Sequence, residues 1–179
     1  MRIAIVTESF LPRTDGVVRT VLELLSFLRT HHHQALVFAP GQGPREHLGF
    51  EIVRIGGLRF PLYPDLTLAP FCPFMGRQLR AWKPDVVHLA SPFVLGAYAC
   101  RVGRKLRLPI AAHYQTDVAG YARHFHLAVL SRAATRHITR LHNNCQTNYA
   151  PTESQRLALI ARNYPGPSVG LERVIVARW

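Results

Sequence analysis

The chain has 179 residues, 48% of them hydrophobic and 18% charged, which is the composition of one folded domain and excludes a disordered or fibrous chain. Lys and Arg outnumber Asp and Glu by 22 to 10, a net charge of +12. That balance favours an anionic partner without choosing among nucleic acid, an anionic membrane and phosphorylated small molecules, and a GC-rich genome would also enrich arginine. No apolar run is long enough to span a bilayer, and residues 1–6 are too short for a signal peptide, so a cytoplasmic location is expected. Cys72, Cys100 and Cys145 have neither the number nor the spacing of a disulfide framework or zinc site, and are expected to be small buried side chains.

Residues 2–7 (RIAIVT) form an apolar, β-branched run that predicts a buried parallel strand. Residues 8–16 (ESFLPRTDG) read as a loop, and residues 17–29 as a helix with apolar positions at Val18, Val21, Leu22, Leu25 and Leu28. Residues 35–39 (ALVFA) are a second strand, which completes a right-handed βαβ unit. Residues 51–55 predict a third strand. Residues 57–76 are aromatic, proline-rich and expected to be irregular, with a short helix over 77–82. Strands at 85–90 and 109–113 flank a helix over 93–106. A long helix is predicted over 119–142, then a strand at 146–150, a helix over 152–162 capped by Thr152 or Ser154, and a last short strand at 174–176. Alternating strands and helices predict an α/β fold: a Rossmann-like, doubly wound parallel sheet of at least five strands.

In such sheets ligands bind beyond the carboxyl ends of the strands. The loop ending at Gly16 feeds a helix N-terminus, where amides and the helix dipole attract phosphate. The loop alone favours an ordinary strand-to-helix turn, since one glycine is less than a dinucleotide fingerprint. No G-x-G-x-x-G follows the first strand and there is no P-loop. His31, His32 and His33 diverge around a helix end, so no metal is expected there. His113, Gln115 and Asp117 alternate along an extended segment and fit either sugar hydroxyls or a self-satisfied strand end. Residues 118–152 lack acids but carry Arg132, Arg136 and Arg140 at i, i+4 spacing, a solvated face or an anion contact. Residues 57–83 mix aromatics with Arg59, Arg77 and Arg80, which suits either an interfacial membrane segment or a buried cover for the sheet.

Five segments carry a family resemblance: MRIAIVTESFLPRTDGVVRTVLELLSFL, ALVFAPG, PDVVHLASPFVLGAYA, LPIAAHYQTDVAGYARHF and LHNNCQTNYAPTESQR. Together they resemble family 4 of the glycosyltransferases, most of all the GDP-mannose-dependent α-mannosyltransferases that act on lipids, with sulfoquinovosyl transferases similar. The resemblance implies that residues 1–162 are the N-terminal, acceptor-binding half of a two-domain GT-B enzyme. It implies retaining transfer of a hexose, mannose above all, from a nucleotide sugar to a lipid or glycolipid. GDP-mannose would be the co-substrate, with no cofactor or metal, and the enzyme would lie peripherally on the inner face of the plasma membrane.

By the same resemblance Gly16 approaches the donor diphosphate. Asp15, Arg19, Tyr114, Gln115, Thr116, Asp117 and Tyr121 form the acceptor side, with Gln115 and Asp117 as catalytic candidates. Family members commonly have His in place of Gln115, and Gln cannot shuttle a proton. The family's arginine-glycine-histidine-like end to the first helix is here His31-His32-His33. Residues 163–179 do not resemble the family's continuation into a donor domain, so the chain alone is expected to be inactive. The alternatives are a non-catalytic remnant and a basic anion- or nucleic-acid-binding module, the latter without a supporting nucleic-acid motif.

Overall fold

The computed structural model describes residues 1–60, 63–90, 92–115, 128–161 and 174–176. Strand β1 (Arg2–Thr7) leads through a loop into α1 (Gly16–Thr30), then β2 (Gln34–Pro40). Asp15 caps α1 by accepting from the Val18 N–H at 2.9 Å. The helix ends at His31, after which His32 turns with φ 56°.

A two-residue strand β3 (Glu46–His47) and β4 (Phe50–Ile55) follow, then β5 (Leu58–Phe60), β6 (Tyr63–Leu68) and α2 (Met75–Trp82). The second half comprises β7 (Val86–Ala90), α3 (Leu95–Lys105), β8 (Ile110–His113), α4 (Ala128–Asn143), β9 (Thr147–Ala150), α5 (Glu153–Ala161) and β10 (Val174–Val176).

Among the described residues the main sheet has eight strands in the order β10-β9-β8-β7-β1-β2-β4-β3, parallel throughout except for β3 at the edge. Its alternating side chains build two cores. Ala4 and Val6 of β1 join Leu36, Phe38, Leu89 and Ala112 beneath α2, α3 and the foot of α4. Ile5 faces the other way with Val37 and Ile52, beneath Val21, Leu25 and Leu28 of α1. A third cluster, Tyr114, Ile138, Ala150 and Leu159, packs α4 and α5 onto the sheet.

Two corrections to the sequence-based reading concern residues 46–76. Residues 57–76 are not irregular throughout: β5 and β6 pair antiparallel as a separate ladder, with Leu58 opposite Leu68 and Arg59 opposite Thr67. Pro61 and Pro64 disguise the alternation, and proline is tolerated in a ladder this short because much of its backbone is edge. Strand β3 is too short to carry a period. Elsewhere boundaries shift by one or two residues, as with β2 and α3. Thr152 is the cap of α5, its hydroxyl accepting from the Gln155 N–H at 3.2 Å. The first part of the long predicted helix, residues 119–127, lies outside the described residues. The three cysteines are free and buried.

Candidate functional site

The chain leaves β1 towards β2 on one side, and its second half returns to place β7 on the other. This reversal opens a crevice at the carboxyl edge between the loops that follow β1 and β7. The register places Thr7, Ala90, His113 and Tyr149 in one row across β1, β7, β8 and β9. The start of α1 and the residues after His113 therefore share one edge, separated by roughly 10 Å of sheet.

The loop after β1 is tightly held. Ser9 donates its hydroxyl to Asp15 at 2.7 Å, and Arg13 pairs with the same carboxylate oxygen at 3.0 Å. Both Asp15 oxygens thus serve the loop and the helix cap. Arg19 is exposed and pairs with Glu23 one turn on. Gly16 has no positive φ, and a β-carbon built on it meets nothing within 4 Å. The fold therefore does not require glycine there, and the surface above the α1 N-terminus is clear.

Two residues not singled out from sequence organise this edge. Arg54 on β4 donates to the carbonyls of Leu11 (2.7 Å), Pro44 (2.9 Å) and Pro40 (3.5 Å), with its guanidinium over the Phe10 ring. It ties the loops after β1 and β2 together. Glu8 accepts from the backbone N–H groups of Phe93 (2.7 Å), Gly96 (2.9 Å) and Leu95 (3.2 Å). It caps α3, whose own N-cap residue makes no side-chain bond. Burial pushes the Glu8 carboxyl up, against the pull of those N–H groups. Neither role carries a local sequence signal, because the partners are backbone groups 10, 14 and 43 residues from Arg54 and 85 to 88 residues from Glu8.

At the end of β8, His113 and Tyr114 are buried and Gln115 is half-buried. The Gln115 amide donates to His113 Nδ1 at 2.8 Å, so these two alternating residues do share a face. Behind them the rings of His88, His113 and Tyr149 meet edge-to-face or tilted, with centroids 6.2–6.3 Å apart. His142 bonds Asn148 at 2.7 Å and lies 5.8 Å from Tyr114. Burial lowers all three histidines to about 4, which leaves neutral imidazoles at neutral pH. Thr116, Asp117 and Tyr121 lie outside the described residues.

Arg77 and Arg80 stand exposed on α2, while Met75 and Leu79 of the same helix enter the core with Ala69 and Cys72. The segment is a cover for the sheet that also exposes Leu58 and Phe71. Arg59 lies on β5, and Arg132, Arg136 and Arg140 are exposed on α4. No helix among the described residues is long and apolar enough to cross a membrane.

A parallel, doubly wound sheet with its crevice at the carboxyl edge is a Rossmann-like domain. Solved structures of the same architecture include Anabaena Alr3699/HepE in complex with UDP, with a TM-score of 0.67 and 14% identity, over 98% of this chain and 43% of that one. The family model for Glycosyltransferase Family 4 matches residues 14–169, and the chain belongs to that family. A GDP-mannose-dependent alpha-mannosyltransferase of Corynebacterium glutamicum is 47% identical over 85% of this chain and 38% of its own length. Its Mycobacterium tuberculosis counterpart is 39% identical over 92% of this chain and 45% of its own length. More distantly, the Acholeplasma laidlawii alpha-monoglucosyldiacylglycerol synthase is 29% identical over 86% of this chain and 41% of its own. The chain spans less than half the length of these relatives.

Proposed function

We propose that this chain is the acceptor-recognising half of a retaining glycosyltransferase that moves mannose from GDP-mannose to a lipid or glycolipid. The observation that carries the reading is the cleared helix N-terminus at Gly16, on the same sheet edge as the His113–Gln115 pair. A diphosphate approaching Gly16 would meet backbone amides and the positive end of α1. The neutral, buried His113 and the Gln115 amide suit hydrogen bonding to sugar hydroxyls, with Arg19, Tyr114, Thr116, Asp117 and Tyr121 completing the acceptor side. Asp15 contributes by fixing the loop.

The names of the relatives favour mannose and a lipid acceptor. Leu58 and Phe71 are exposed, as are Arg77 and Arg80 on α2, an apolar and cationic mix within one segment that suits an anionic membrane on which the acceptor resides. The greater part of the donor contacts would come from a second domain such as the longer relatives have room for.

The test is a hybrid in which residues 1–162 replace the matching half of the C. glutamicum relative. Transfer of labelled mannose from GDP-mannose to a lipid extract is expected. A hybrid that folds and binds GDP-mannose, yet neither binds nor glycosylates lipid, would sink the reading.

A further inference from the structure

Helices α2 and α3 and the foot of α4 pack on one face of the sheet, and α1 on the other. The three helices of the first layer carry Arg77, Arg80, Arg101, Arg104, Lys105, Arg132, Arg136 and Arg140, and not one acid. All eight are exposed. Helix α1, in contrast, carries Glu23 between Arg19 and Arg29. Among the described residues the excess positive charge is therefore concentrated on one layer, and within it an open, shallow depression of about 410 Å³ lies along one face of α4, lined by Thr135, Arg136, Thr139, Arg140, Asn143 and Asn144.

The wall of this depression is fixed in place. Arg104 of α3 donates to Asn144 Oδ1 at 2.6 Å, and the Asn144 amide donates to the Arg140 carbonyl at 2.7 Å. The Thr139 hydroxyl donates to the Thr135 carbonyl at 2.8 Å, which leaves the guanidinium groups as the cationic donors facing the depression. Arg140 in the last turn also complements the negative end of the helix dipole, but Arg132 and Arg136, further back, are not accounted for that way. The foot of α4 lies at the amino edge of the sheet, where the Gln146 N–H bonds the Ile110 carbonyl at the start of β8. Gly16 and Gln115 occupy the opposite edge, which α4 approaches at His137, whose Nε2 bonds the Phe93 carbonyl at 2.8 Å.

We propose that the α4 depression is a second anion site, separate from the crevice, that takes a phosphate group between Arg136 and Arg140. Guanidinium groups one helical turn apart on the same face match phosphate oxygens. The phosphate belongs either to an anionic lipid headgroup or to a free phosphate compound, and the inference does not depend on glycosyl transfer.

The test uses the whole chain, with inorganic pyrophosphate as soluble probe followed by backbone amide NMR, and co-sedimentation with phosphatidylglycerol or phosphatidylcholine vesicles. Pyrophosphate is expected to shift amides of residues 135–144 and to leave those near Gly16 less affected. Arg136→Gln/Arg140→Gln should abolish the local shifts, as should Thr139→Glu, which keeps both arginines but places a carboxylate in the depression. The charge-matched Arg29→Gln/Arg45→Gln, outside this layer, should not. If the headgroup is the source, the first double variant weakens binding to phosphatidylglycerol vesicles roughly 30-fold. If a free phosphate compound is the source, vesicle binding is unchanged while the pyrophosphate shifts are lost. Shifts with no focus on residues 135–144, or equal losses in both double variants, would overturn the site. Failure of the mannosyl-transfer hybrid would leave these readouts unaffected.

Discussion

The Gln115 amide stands 2.8 Å from His113 Nδ1 and can only donate to it, so neutral His113 carries its proton on Nε2. Protonating this ring would convert the accepting nitrogen into a donor facing another donor. His88, His113 and His142 are all lowered from 6.5 to about 4, chiefly by burial; His113 adds to this at His88, and His142 at His113. Between those pH values the unfolded chain holds more protons than the folded one. The stability these neutral histidines provide is complete above pH 6.5 and is lost as pH falls towards 4, at most about 3 kcal/mol for each. Glu8, shifted upward, works in the opposite sense at the acid end and offsets part of the loss. Urea melts at pH 7.5 and pH 4.5 check this: the midpoint should fall steeply, and equal midpoints would contradict the buried neutral cluster.

Gly16→Ala separates folding from function. Its β-carbon meets open space, so the thermal midpoint should stay within a few degrees of the parent, or rise slightly. In the hybrid enzyme the same methyl group would stand where a diphosphate approaches, and kcat/KM should fall on the order of 10²-fold, the scale of losing one preorganised donor. Unchanged kinetics would remove Gly16 from the donor side.

Arg54→Gln should destabilise the chain by about 2 kcal/mol, because the shorter side chain cannot serve three carbonyls on two loops at once. Amide exchange should quicken in residues 9–15 and 40–45 before it does elsewhere. A uniform loss of protection would instead assign Arg54 to the core as a whole.

The 179-residue chain by itself should show no transfer of labelled mannose from GDP-mannose. Most transition-state stabilisation in such a reaction falls on the departing diphosphate, and among the described residues the α1 N-terminus is the one the proposed donor side uses, that of α3 being capped by Glu8. Losing the rest of a donor pocket also loses substrate positioning. Turnover above a boiled control would require a complete donor site within these residues.

Strands such as β1 and β2 were legible in sequence because burial on both faces demands continuous apolar runs, and α1 because its apolar spacing marks one face. The β5–β6 hairpin was not, because its two prolines break the alternation that a short ladder shows. The helix start at Gly16 and the shared face of His113 and Gln115 could be read from local spacing. Arg54 and Glu8 could not: their partners are backbone groups brought near only by the completed sheet, and a carbonyl or N–H leaves no mark in the residue alphabet. Residues 116–127, which hold Asp117 and Tyr121, lie outside the described residues.

Because Glu8 grips α3 through main-chain N–H groups, the grip is indifferent to which side chains occupy positions 93 and 95, proline excepted. Tolerance to substitution should therefore be distributed very unevenly between the two ends of this contact. At the α3 end position 93 can vary, while Leu95 is held by the core in which it is fully buried and Gly96 by Pro92, with which a β-carbon would collide. On the β1 side there is no redundancy: Asp is a methylene too short to span the same three amides, and Gln keeps an acceptor but brings an NH₂ group against N–H donors. A library randomised across both segments should recover diverse residues at 93, bulky apolar residues at 95, a fixed glycine at 96, and glutamate almost alone at position 8.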